Sequence, residues 1–150
     1  MNMEELIKDL DKNITMLESK RIENTIYISC KMDTNKSECP YCGKISNSIH
    51  SRYVRTLSDL PIQNNEVKLL LLARKFFCLN QDCKHKTFGE RYNFVEPKAI
   101  RTKRLTEYIN SIGLRDNSMD TVRTLKEAGI KVSSNTVLRI VKKSKNQYNL

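Results

Sequence analysis

The sequence predicts an α+β fold: a small β domain closed around four cysteines, then three short helices, with a short amphipathic helix in front. Three observations predict it. Two cysteine pairs, Cys39-Pro-Tyr-Cys42-Gly43 and Cys78-Leu-Asn-Gln-Asp-Cys83, are separated by room for a strand, a turn and a second strand. Residues 25–32 alternate apolar and polar, as a half-buried strand does. Further on, Leu105, Tyr108, Ile109 and Ile112 recur at spacings of three and four, the period of a helix face.

Taken in order, residues 3–18 place Leu6, Ile7, Leu10, Ile14 and Leu17 at helical spacing and predict the N-terminal amphipathic helix. A strand is expected over residues 25–32, with Cys30 a small buried hydrophobe on it. The polar stretch 33–38 leads into the first cysteine pair, where Pro40 stiffens the turn and Gly43 supplies a positive φ that aims backbone N–H groups at the sulfurs. Strands are expected over 49–60 and 67–78, separated by Pro61 and the turn-forming Asn64-Asn65.

Pro97 marks a boundary, and a helix follows with Thr102 as N-cap and Gly113 at its close. A second runs from about Ser118, with Val122, Leu125 and Ala128 inward and Gly129 ending it. A third opens at Ser133 or Ser134 and places Val137, Leu138 and Val141 on its apolar side. The domains read from this are 1–24, the N-terminal helix; 25–96, a zinc-ribbon-like β domain; and 97–150, three helices in a helix-turn-helix pattern. Its turn is about two residues longer than the common form. A generic helical hairpin with a basic exposed face accounts for the same pattern.

Four thiolates, Cys39, Cys42, Cys78 and Cys83, make a tetrahedral shell for one structural zinc ion. Two disulfides are the competing use. Glu4, Glu5, Asp9 and Asp11 stand where a signal peptide would be basic and then apolar, so a reducing cytoplasm is expected, and metal ligation with it. One iron is the other ion that four cysteines hold; the second pair, spaced wider than Cys-x-x-Cys, speaks against it. His50 and His85 are bystanders if the cysteines fill the shell. A β domain this small needs the folding free energy that a metal supplies.

The chain has 150 residues and a net charge of +10. Lys and Arg number six against eight Asp and Glu over residues 1–38, nine against five over 39–96, and twelve against four over 97–150. That gradient points to a polyanion meeting the C-terminal third. No membrane partner is expected, because the longest apolar run, residues 69–73, is far short of the ~20 residues a bilayer requires. No small-molecule substrate is indicated either. Ser134, Asn135, Thr136 and Arg139 are the donors and acceptors a reading helix presents to base edges, and Lys142, Lys143 and Lys145 fall where phosphates lie. Arg101, Lys103 and Arg104 add cations ahead of them, and Arg52, Arg55, Arg74 and Lys75 are candidate phosphate contacts on the β domain.

The ordered string Cys39-Pro-Tyr-Cys-Gly43, His50-Ser-Arg-Tyr53, Arg55-Thr-Leu57, Asp59-Leu-Pro61, Arg74-Lys-Phe-Phe-Cys78, Cys83, Thr87-Phe88, Glu90-Arg91 and Arg101-Thr-Lys-Arg-Leu105 resembles the N-terminal region of bacterial insertion-sequence transposases of the ISL-three type. Gly129-Ile-Lys-Val-Ser133 and Asn135-Thr-Val-Leu-Arg139 extend the resemblance into that family's helix-turn-helix. It implies zinc on the four cysteines and binding to double-stranded DNA at the terminal inverted repeats of a mobile element, with a homodimer expected because ends come in pairs. The family continues into a catalytic domain with three acidic metal ligands, and this sequence ends at Leu150 before one, so no catalytic residue and no enzymatic activity are expected of it. Asp59, Glu90 and Glu96 read as ion-pair or capping groups. The readings kept beside this are a DNA-binding regulator without a role in transposition and a zinc-stabilised protein-interaction module facing its partner with the N-terminal helix.

Overall fold

A computed structural model describes residues 2–147. Helix α1 (Met3–Lys8) is followed by strands β1 (Ile14–Ile22), β2 (Thr25–Met32), β3 (Ser37–Glu38), β4 (Ile45–Ser46), β5 (Ile49–Ile62), β6 (Asn65–Phe77) and β7 (Thr87–Gly89), and then by helices α2 (Lys103–Gly113), α3 (Ser118–Ala128) and α4 (Ser134–Gln147).

The N-terminal helix expected over residues 3–18 is a single stretch of six residues. Asn2 caps it, accepting from the Glu5 N–H, and after Lys8 the chain turns away: Asp11 Oδ1 takes the Asn13 N–H in a local turn. Ile14 and Leu17, which the helical spacing placed on the same face as Ile7, lie instead on β1. Tertiary pairing outweighs the local period here, because β1 closes an antiparallel hairpin with β2 through Glu23 and Asn24. Leu17 falls in the irregularity between Met16 and Glu18 and is 53% exposed. The expected boundary between residues 24 and 25 is thus the turn of a hairpin.

Strand order in the main sheet is β1-β2-β6-β5, with β7 continuing the β6 edge beyond β2. The hairpin β5–β6 turns through Gln63 and Asn64, both at positive φ, as a two-residue turn between twisted strands demands. Pro61 is inside β5, at an irregularity near its end, and Asn65 begins β6. The sheet also holds a parallel pair, β2 against β6, which a two-stranded ribbon plan does not contain. One face buries Ile26, Ile28, Cys30, Leu57, Val67, Leu69, Leu71 and Ala73 under Ile7, Tyr92, Phe94 and Val95. Burial pushes the Cys30 thiol up to about 12, with Asp59 contributing, so it stays a protonated, inert hydrophobe.

Helices α2, α3 and α4 pack around Leu105, Ile109, Ile112, Leu125, Ile130 and Val137. Thr102 caps α2, accepting the Leu105 N–H, and Ser133 Oγ accepts the Thr136 N–H at the start of α4. Gly113 lets α4 come close, since a Cβ there would stand 2.7 Å from Val141 Cγ2.

The helices are fastened to the sheet at two places. At the first, Asp59 on β5, 4% exposed, accepts from Thr102 Oγ1 at 2.7 Å and from Arg104 through Nε at 2.8 Å and Nη2, and Arg104 also reaches the Leu6 carbonyl. Beside it the Ser58 N–H donates to the Ile100 carbonyl, and the Thr102 N–H donates to that of Ser58. At the second, Gly129 ends α3 at φ +98° against the β5–β6 turn, where an added Cβ would lie 2.6 Å from the Asn64 carbonyl oxygen.

Three substitutions test these fastenings by their effect on stability. Gly129→Ala combines a left-handed backbone with that close approach and should lower the unfolding free energy by roughly 2 kcal/mol or more, read by urea denaturation. Gly89→Ala, which meets nothing within 4 Å, should stay within about 0.5 kcal/mol of wild type. Arg104→Ala leaves a buried carboxylate uncompensated and should cost about 3 kcal/mol in the same assay.

Candidate metal centre

The two cysteine pairs meet beyond one end of β6. The first pair sits in the loop of the β3–β4 hairpin, where the Cys39 N–H donates to the Lys44 carbonyl at 3.0 Å and the Gly43 N–H to that of Cys39 at 2.8 Å. Gly43 has φ +82°, the left-handed value the turn needs. Cys78 follows β6 directly; its N–H donates to the Lys86 carbonyl, and the Cys83 N–H donates to that of Asn80. A small apolar cluster of Phe76, Phe88, Cys39 and Cys83, with Ile49 alongside, supports the site from below. It is separate from the main core.

The four Sγ atoms of Cys39, Cys42, Cys78 and Cys83 all lie within 4.8 Å of one another, and Cys42 and Cys78 are 3.6 Å apart. Tetrahedral ligation at a Zn–S distance of about 2.3 Å places sulfurs roughly 3.8 Å from each other, so the donors present fit the ion. All four cysteines are free of disulfides. The electrostatics agree with this fit. A backbone N–H from Lys44 and the Asn80 side chain bring the Cys42 thiol down to about 6, toward the charged form that ligates a metal. Cys78, although the Asn80 backbone N–H favours its charged form, is pushed up to about 12 by desolvation and the neighbouring sulfurs. Four thiolates in this space need a divalent cation. The four cysteines fit one structural zinc ion.

Neither histidine joins the cluster among the described residues. His85 stacks on Tyr41 with ring centroids 3.5 Å apart, and His50 meets Phe77 edge-on. A buried ion pair braces the neighbourhood, with Glu90 the ion-pair group expected and Arg74, expected to be a phosphate contact, its partner: Arg74 donates to Glu90 through Nε at 2.9 Å and Nη2 at 2.6 Å, and to the Thr34 carbonyl at 2.6 Å. Tyr92 Oη also donates to Glu90.

The basic residues singled out in the sequence divide accordingly. Arg74 is spent on Glu90, Arg55 donates to the carbonyls of Glu96 and Ala99, and Arg104 is committed to Asp59. These guanidiniums hold the protein together. Arg52 and Lys75 are exposed on the sheet, and Lys103 reaches Glu96 across a solvent-exposed gap of 3.4 Å. On α4, Asn135, Arg139, Lys142 and Lys143 are exposed, while Ser134 and Thr136 are half-buried. Arg101 is half-buried too, and its guanidinium is held below its ordinary value by burial and by Arg139 nearby. Neither arginine has a carboxylate partner among the described residues. Leu138, expected on the apolar side of its helix, is 55% exposed; Ile140 packs inward in its place.

Chelation should therefore act locally. On removing the ion, amide exchange should rise across residues 37–46 and 78–89, while residues 25–32 and 66–73, which belong to the larger core, remain protected. Metal analysis should find one zinc per chain in wild type and in Cys30→Ser, and less than about a tenth of that in Cys39→Ser. Retention of a full equivalent by Cys39→Ser would remove it from the ligand set.

Residues 36–83, which span the four cysteines, match the family model described as the zinc-finger of transposase IS204/IS1001/IS1096/IS1165. No curated protein and no solved structure matches the chain. Over the segment that builds the metal centre, this chain is thus similar to the zinc-finger of those transposases, consistent with the N-terminal region of an ISL-three type transposase.

Proposed function

We propose that this chain is a sequence-specific double-stranded DNA-binding module, and that its target is the terminal inverted repeat of a mobile element. In this reading α3 and α4 form a helix-turn-helix, and α4 enters the major groove. The observation that carries it is the outer surface of α4. Four cations, Arg139, Lys142, Lys143 and Lys145, stand on one fourteen-residue helix without a single carboxylate, and all four are exposed. Such a surface is complementary to a polyanion.

Within that framework Ser134, Asn135, Thr136 and Arg139, on the first turns, read base edges, and Lys142 and Lys143 neutralise phosphates. Arg101, near Arg139, and Lys103, at the start of α2, add positive charge to the interface. Arg104 acts through Asp59, as a positioning residue that fixes α2 and, through it, the angle of α4. A homodimer on paired ends accords with this role. Asp59, Glu90 and Glu96 are each paired with Arg or Lys, in keeping with an ion-pair role for these three carboxylates. The protein-interaction reading has less support, because α1 is short and turns Ile7 into the sheet's core.

Binding to a duplex selected from a randomised library, compared with random-sequence DNA, tests the division of roles. Arg139→Ala should cost about 1–3 kcal/mol on the selected duplex and much less on random DNA, relaxing specificity. Lys142→Ala should weaken both alike and lower the slope of log K against log salt by about one. Equal losses on both DNAs for both variants would refute the assignment.

A further inference from the structure

The exposed stripe of α4 contains one residue that neither charge nor hydrogen bonding explains. Asn135, Leu138, Arg139 and Lys142 stand at positions i, i+3, i+4 and i+7, and all are exposed, so they share the outward side of the helix. An isolated exposed leucine is ordinarily unremarkable. Here its surroundings give it meaning. The other aliphatic residues of α4, namely Val137, Ile140 and Val141, pack against α2 and α3, so the helical core is complete without Leu138. It stands one turn after Asn135, whose amide matches the N6 and N7 edge of adenine, and next to Arg139. The one apolar feature that base edges offer in the major groove is the C5 methyl of thymine.

We infer that Leu138 is a specificity-determining residue that recognises a thymine methyl group in the major groove, beside the bases read by Asn135 and Arg139. The inference rests on the DNA-binding reading above. It assigns α4 a composite code in which hydrogen-bonding groups select two positions and van der Waals contact selects a third.

Deoxyuridine differs from thymidine in the major groove by that methyl alone, so the probe is the library-selected duplex with each dT replaced in turn by dU. Wild type should lose about fourfold in affinity at one position, the effect of withdrawing one methyl from an apolar contact. Leu138→Ala should bind the parent duplex more weakly and become indifferent to dT or dU there, whereas Leu138→Met, which keeps the apolar contact, should retain most of the discrimination. Alanine is a strong helix former at this exposed site, so the variant's melting temperature should stay close to wild type. The inference is overturned if no dT position is sensitive, if the sensitive one remains so in Leu138→Ala, or if Leu138→Ala changes only the sedimentation behaviour, as a protein contact would. The same titration keeps the two levels apart. If wild type does not prefer the selected duplex over random DNA, the DNA-reading function itself fails; if it does, the dU series judges Leu138 alone.

Discussion

One buried carboxylate fixes how the two halves of this molecule meet. Asp59 lies at the end of the sheet with its charge almost wholly removed from water, and three donors from a single stretch of chain, Thr102 Oγ1 and two guanidinium N–H groups of Arg104, satisfy it. Thr102 does two tasks at once, capping α2 with its lone pair while donating its proton to Asp59. The start of α2 is therefore set by the sheet. Since α4 packs on α2, and Gly113 allows the close approach, the direction of the basic helix depends on this ion pair together with the docking of Gly129 on the β5–β6 turn. A buried pair of this kind adds little net stability compared with apolar residues of equal volume, but it penalises every other docking angle that would leave the carboxylate alone.

The metal centre lies at the opposite end. Strand β6 runs through thirteen residues, roughly 40 Å at about 3.3 Å per residue, from the turn that meets Gly129 to the strand end that delivers Cys78. Each end has its own small apolar cluster, and the main core lies between. Zinc therefore stabilises a local feature, the knuckle and the segment after Cys78, in a place where the chain has too few apolar residues to fold on their account. The bound site carries a charge of about −2 from four thiolates and one divalent ion. Lys44, Lys84 and Lys86, exposed on the segments that carry the cysteines, offset it.

Much of this was legible in the sequence where residue type and spacing leave one physical use. The cysteine pairs announced their convergence, and Thr102, Gly129 and Ser133 announced helix ends, because thiolate clustering, capping and positive φ each favour few residue types. The β5–β6 hairpin was legible for the same reason. What escaped was set by partners far away in the chain. The spacing of Ile14 and Leu17 fits one face of a helix, and only pairing with β2 makes the segment a strand, on which Ile14 is buried and Leu17 exposed. Arg104 looked like its cationic neighbours, since nothing nearby reveals that Asp59 waits for it. Leu138 was placed inward on periodicity, and Ile140 took that side. The parallel partnership of β2 and β6 left no local mark at all.

That last feature shapes the order of events during synthesis. When the ribosome has made only the first hairpin, β2 has a partner on one edge and none on the other, and Ile26, Ile28 and Cys30 have no core to enter. The missing neighbour is β6, and the residue that follows β6 is Cys78. Sheet closure and completion of the thiolate shell thus come from the same late stretch of nascent polypeptide, which couples ion capture to the moment the open strand edge is sheltered.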